Sequence, residues 1–374
     1  MPSPSPLSQI EHARRTAATH LDLSRCGLTE LPPEIGTLTA LRSIDLSHNA
    51  LTALPAEIAR LPALISLNFA DNRLPSLPAS FEQLSSLTTL YLDDNAFKSF
   101  PEALSRIKSL SALSLAGNQL SEIPGFLSTL PHLTRLNLAG NRLDRFPAAL
   151  AALPSLSHLD LSGNSIPVLP PEIGALTGLR TLFLQSTQLS ALPAEIGQCT
   201  ALESLLLSHN HLTVLSPAVG NLTSLRALHL SHNHLTALPP ELTRLTSLEE
   251  IDLSYNQLDA LPAGFSRLRA LKELNLAGNG LTAVPSEVFA LPSLTKLFLY
   301  QNELTSLPPE VSDLAALQCL SLANNRLTSL PRDLEFLNFL TELDCTGNPA
   351  LGLSDHDLRN HAQELLRIYF AAPN

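Results

Sequence analysis

The sequence predicts a single α/β solenoid of about fifteen turns, with short parallel strands along a concave face and a helical cap at each end. Two observations carry this expectation. The first is one pattern, Leu-x-x-Leu-x-Leu-x-x-Asn-x-Leu-x-x-Leu-Pro-x-x-Ile-x-x-Leu, that recurs at a fixed period of 23 residues. Its Asn position falls at Asn49, Asn72, Asn95, Asn118, Asn141 and Asn164, then at Thr187, then from Asn210 every 23 residues to Asn348, with Cys26 one step earlier. A fixed period of this size marks stacked supersecondary units, none of which can bury its apolar residues alone. The second is composition: 44% hydrophobic residues supply a continuous core, and 5% aromatics with no Trp make that core aliphatic.

Each Leu-x-Leu sets two side chains on one face of a short strand. The first core row runs Leu21, Ile44, Leu67, Leu90 and on to Leu343, and the second runs Leu23, Leu46, Phe69, Leu92 and on to Cys345. The Asn row lies where the chain leaves the strand, so a buried carboxamide there is expected to satisfy backbone groups of its own and the adjacent turn. Thr187 and Cys26 offer fewer hydrogen-bonding groups at that position. Pro six residues later, as in Pro55, Pro78 and Pro101 but not at Ser216, favours extended or short helical segments on the convex side over long helices.

Three regions follow: residues 1–17 as a loose tail with a helical cap, 18–351 as repeats, and 352–374 as a second cap. Ser8-Gln9-Ile10-Glu11 is a capping-box pattern for a helix carrying Ile10, Ala13 and Ala17. Ser354-Asp355-His356-Asp357 opens the second in the same manner, with Leu358, Leu365, Leu366 and Tyr369 as its apolar stripe.

These residues are the signature of the leucine-rich repeat. The Leu-Pro variant resembles the intracellular 23-residue class of Ras-suppressor-like and Shoc-type scaffolds, Erbin-like proteins and bacterial Roco proteins. The resemblance implies a non-catalytic protein-interaction scaffold in small-GTPase-type signalling, with a Ras-like GTPase among the partners it permits. The segments Ile10 to Leu31 and Gln363 to Phe370 also resemble those flanking Roco repeats, which gives an alternative expectation: the sensing or docking region of a larger signalling enzyme. A third is a bacterial effector acting in a host cell, suggested by the Pro/Ser-rich Met1 to Leu7.

Charge and motifs narrow the function classes. A formal charge of −11 opposes nucleic acid and anionic membranes as partners. No segment approaches the roughly 18 apolar residues of a membrane span. Cys26, Cys199, Cys319 and Cys345 are scattered, which suggests neither a disulfide framework nor a zinc site and fits a cytoplasmic monomer. No Walker-type loop, His-Glu-x-x-His, Gly-x-Ser-x-Gly or Cys-x-x-Cys occurs, so no catalytic residue, cofactor or metal is expected. The repeated tetrapeptides Ser208-His209-Asn210-His211 and Ser231-His232-Asn233-His234 read as recently duplicated solvent-facing residues, since no carboxylate or cysteine completes a tetrahedral metal set.

The informative row lies between the two buried Leu positions, facing the concave side. It reads Asp22, Asp45, Asn68, Tyr91, Ser114, Asn137, Asp160, Phe183, Leu206, His229, Asp252, Asn275, Phe298, Ser321 and Asp344. Most are small, polar or acidic, as solvent requires. Phe183, Leu206 and Phe298, with Tyr91, Tyr255 and Tyr300, put apolar or aromatic area where folding has no use for it. The expected partner-binding set is therefore Tyr91, Asp93, Phe183, Gln185, Leu206, His209, His229, His232, Asp252, Tyr255, Phe298 and Tyr300, with Asp94, Arg180, Glu203, Glu250 and Lys296 as further rim charges. Fifteen strands at about 4.8 Å each span roughly 70 Å, a surface suited to a folded protein rather than a small ligand.

Overall fold

A computed structural model describes residues 6–153, 155–354, 358 and 361–371. The chain divides into two compact units, Met1–Phe183 and Leu184–Asn374. Three-residue strands recur every 23 residues, from β1 (His20–Asp22) and β2 (Ser43–Asp45) to β8 (Thr181–Phe183) in the first unit, and from β9 (Ser204–Leu206) to β15 (Glu342–Asp344) in the second. Within each unit the strands pair in parallel and in chain order, each residue opposite its counterpart one repeat away, as Leu21 is to Ile44 and Leu228 to Ile251.

After each strand the chain turns, extends and closes with a short 3₁₀ helix. Pro32 shows why: it is extended at φ −60°, ψ 136°, a helix Pro33–Thr37 follows, and the Leu38 amide ends it by donating to the Ile35 carbonyl at 3.1 Å. The fixed φ of Pro and its missing donor set the entry to the turn, and the tight i→i+3 geometry keeps these helices to five residues or fewer. The buried row Ile35, Ile58, Phe81 and Leu104 packs from these helices against the two strand rows. Each such side chain contributes about 1.5 to 3 kcal/mol on leaving water.

The asparagines satisfy backbone groups as expected. Asn233 donates through Nδ2 to the carbonyls of Leu207 at 3.0 Å and Leu230 at 2.9 Å, and its Oδ1 accepts the Leu212 amide at 3.0 Å. At the exception, the Thr187 hydroxyl donates to Leu184 O and to Asn210 Oδ1, so the next Asn absorbs the substitution. Among the described residues no buried side-chain nitrogen or oxygen is left without a partner.

The caps depart from expectation in their boundaries. Helix α1 spans Pro6–Thr16, so Ser8 lies inside its first turn and is not its cap. Ile10 and Ala13 are buried, whereas Ala17 lies past the helix at φ +48° and is exposed. Helix α2 spans Ala362–Ala371, eight residues beyond Ser354; Asp355, His356 and Asp357 of the expected start lie outside the described residues. Leu365 and Leu366 are buried, and α2 packs on β15 and is tied to the two ends of the 3₁₀ helix Arg332–Phe336: Gln363 donates to Leu337 O, and the Tyr369 hydroxyl accepts the Leu330 amide at 3.1 Å.

Candidate binding face

The row between the buried leucines has a structural job that its polarity conceals. Asp22, Asp45, Asp160, Asp252 and Asp344, and likewise Asn68, Asn137 and Asn275, each accept the amide two residues ahead at 2.8 to 3.1 Å. This Asx turn bends the chain out of the strand. At Ser114 the acceptor comes from the preceding turn instead: Asp93 takes the Ala116 amide at 2.9 Å and the Ser114 hydroxyl. Burial pushes the Asp93 carboxyl above its ordinary value against the pull of those two bonds. Asp93 is thus a bridge between turns. Tyr91, Phe183, Leu206, His229 and Phe298 give up the Asx acceptor altogether, which the turn itself does not reward.

The expected apolar anchors are less exposed than the sequence suggests. Phe183, Leu206 and Phe298 are each half-buried, because strands only about 4.8 Å apart let same-row neighbours cover their flanks. Tyr91, at the end of β4 (Thr89–Tyr91), is the most open of the set at 41%. Tyr91, Asp93 and Phe183 belong to the first unit; Gln185 opens the second; Phe298 ends β13 (Lys296–Phe298) with Tyr300 just beyond.

Six of the predicted residues do come together in the second unit. Leu206, His229 and Asp252 are successive register partners on β9, β10 (Ala227–His229) and β11 (Glu250–Asp252). Beside them the rings of His209, His232 and Tyr255 form a column, with centroids 4.2 Å apart at each step and planes within 11°. The Tyr255 hydroxyl donates to Gln301 Oε1, reaching past Gly278, where a Cβ would lie 2.7 Å from Tyr255 Cδ1. His211 and His234 stack more loosely, at 5.9 Å.

The column stands on costly backbone. The residue before each ladder position is left-handed in all fifteen turns, with φ from +50° to +70°. Glycine takes that region in five turns, at Gly117, Gly140, Gly163, Gly278 and Gly347; the other ten hold a side chain there, among them His209, His232 and Tyr255 at +57°, +53° and +52°. A side chain there costs about 1 to 2 kcal/mol per residue. Burial and the adjacent His209 hold the His232 imidazole below its ordinary pKa, opposed by Asp252. Burial, then Tyr300 and Asp252, raise the Tyr255 phenol. His229 Nε2 pairs with Glu250 at 2.7 Å.

Sequence reasoning misses a second apolar feature. Phe336 and Phe339, on and just after the 3₁₀ helix Arg332–Phe336, are 68% and 64% exposed. A signal was present in their rows: the equivalent positions in other turns hold residues such as Arg244, Arg267 and Asp313, or Ser247, Ala270 and Ala316. Among the described residues no group of three or more His, Cys, Asp or Glu could hold a metal ion, and no helix is long and apolar enough to cross a membrane.

Fold and sequence together define a repeat solenoid. Leucine-rich repeat profiles match residues 123–166, 177–235, 223–281, 269–327 and 292–349, and a leucine-rich repeat region profile matches 16–122. The chain belongs to the leucine-rich repeat family. It is similar to a leucine-rich repeat protein of Leptospira interrogans, at 34% identity and TM-score 0.84 with 96% of each chain covered. It is also similar to the plant peptide hormone receptor RGFR1, at 31% identity and TM-score 0.70, over 89% of this chain and 60% of the receptor chain. An internalin of Listeria monocytogenes shares the fold at 23% identity and TM-score 0.74, over 91% and 94%. A comparison with curated proteins found no match.

Proposed function

We propose that this chain is a non-catalytic, cytoplasmic scaffold of the intracellular 23-residue repeat class that seats a folded protein partner on the face carried by β9, β10 and β11. The observation that carries this reading is the stacked column of His209, His232 and Tyr255 on three consecutive turns, at a left-handed position that takes glycine in five of the other twelve. Leu206 beside the column adds apolar area without serving the turn. Leucine-rich repeat domains are typically protein-binding scaffolds, and the similar plant receptor was solved in complex with RGF2. Resemblance to Ras-suppressor-like and Shoc-type proteins supports small-GTPase signalling as the setting.

The test is affinity capture from lysate of the source cell, with a panel of Ras-like GTPases alongside, comparing wild type with Leu206→Glu/Tyr255→Ser. A folded protein retained by wild type and lost by the variant, with equal thermal stability of the two baits, is the expected result. Identical capture lists would overturn the assignment of this face.

A further inference from the structure

Five of the twelve histidines fall on two consecutive turns: His209 and His211 after β9, His229 on β10, and His232 and His234 after it. His209 lies on His232 with ring centroids 4.2 Å apart and planes 11° from parallel, and His232 lies on Tyr255 at the same spacing. His211 and His234 are parallel at the wider spacing of 5.9 Å. His229 is held by Glu250, whereas the ring nitrogens of His209 and His232 make no hydrogen bond or ion pair among the described residues. Stacking alone orders the column.

The charged groups around it are few. The preceding turn contributes only Gln185, Ser186 and Gln188, none of which titrates. Its own turns add His211, His234 and the His229–Glu250 pair, and the turns beyond add Asp252, Tyr255 and Tyr300. At the start of the strands Glu249 engages Arg226 and Lys272, with Glu203 in the same row.

We propose that the column is a proton-operated latch on the binding face: stacked and uncharged it seats the partner, and when His209 and His232 both carry protons the rings part and release it; this rests on the binding-face reading above. One proton is tolerated. An imidazolium at His232 faces the Tyr255 ring, a cation against an aromatic face, with the Asp252 carboxylate nearby. A second proton, on His209, sets two like charges 4.2 Å apart with no hydrogen bond to hold either ring. Burial and His209 already oppose charge on His232, against the pull of Asp252. Protonation thus turns a neutral stack into a repelling pair in the range where histidine titrates.

The experiment follows the ring resonances of the full chain by NMR from about pH 8 to about pH 5. A through-space contact between His209 and His232 is expected at the upper end and its loss at the lower, while the amides of buried Leu228 and Ile251 keep their native shifts. His209→Asn removes one charge and keeps the backbone, since Asn324 holds the same left-handed position natively. In that variant His232 should take its proton at higher pH. Partner affinity should fall about tenfold across the range in wild type, as for a closed column populated about a tenth of the time, and His209→Asn should abolish that dependence. A His209–His232 contact that is absent throughout, that persists at the lower end, or that is lost only together with the Leu228 and Ile251 shifts would overturn the latch, as would a His232 titration unmoved by His209→Asn. A partner lost by Leu206→Glu but held equally at both ends of the range would overturn the latch alone. An opening column with no partner lost by Leu206→Glu would overturn the scaffold reading alone.

Discussion

The turns after β5 (Ala112–Ser114), β6 (Arg135–Asn137) and β7 (His158–Asp160) and those after β9, β10 and β11 adopt the same left-handed step with different residues. The first three use Gly117, Gly140 and Gly163; the second three use His209, His232 and Tyr255, with rings stacked 4.2 Å apart. Both sets carry the same buried leucines and the same ladder asparagines. The repeat therefore folds without the rings, and their presence in one set of turns separates what the solenoid needs from what it displays.

The sharpest break in that comparison is between neighbours. Leu205 is fully buried and Leu206 half-buried, so Leu205→Glu should destabilise by about 4 kcal/mol or more, and Leu206→Glu by about 1 kcal/mol or less, in denaturant unfolding. Next in size, Asn233→Ala strands the carbonyls of Leu207 and Leu230 and the Leu212 amide, and should cost about 2 to 4 kcal/mol. Equal loss is expected for Asn141→Ala, because the ladder does not distinguish the two sets of turns.

Exchanging residues between the sets gives a smaller effect with a clear sign. Gly140→His should cost about 1 to 2 kcal/mol by placing a Cβ on left-handed backbone, whereas His232→Gly should stay within about 1 kcal/mol of wild type, since relief of that strain offsets the lost stacking and the added chain entropy. The smallest effect is on pH dependence. The His232 pKa is lowered in the fold, so the unfolded chain binds the extra proton first; its contribution to stability is present above the ordinary histidine value and lost as pH falls through the lowered one. His232→Gln should flatten that part of the acid-side decline, measured as unfolding midpoints across pH 5 to 8.

Much of the fold is legible in the sequence because stacking forces identity on core rows. Fixed spacing marks the strands, the asparagine ladder and the proline entries in every turn. The caps are less legible: they occur once, so no repetition averages out the ambiguity between Ser8 as a cap and Ser8 inside a helix that already includes Pro6 and Leu7. The binding face is legible only in part. Polarity alone does not distinguish a solvated Asp from one closing an Asx turn, so Asp22, Asp45 and Asp160 read as surface. Left-handed backbone shows in sequence only where glycine takes it, and His209, His232 and Tyr255 hide the strain beneath them. Phe183, Leu206 and Phe298 stand out as apolar, but their shielding by same-row neighbours emerges only once the strands are stacked.

The measurement that tests the central claim most directly is parallel determination of unfolding free energy and partner affinity for Leu205→Glu, Leu206→Glu and His232→Gly. If the face is displayed rather than structural, Leu206→Glu and His232→Gly retain near wild-type stability and lose the partner, while Leu205→Glu loses stability first. If the two face variants unfold as readily as Leu205→Glu, or keep full affinity, the rings and Leu206 belong to the fold and the claim fails.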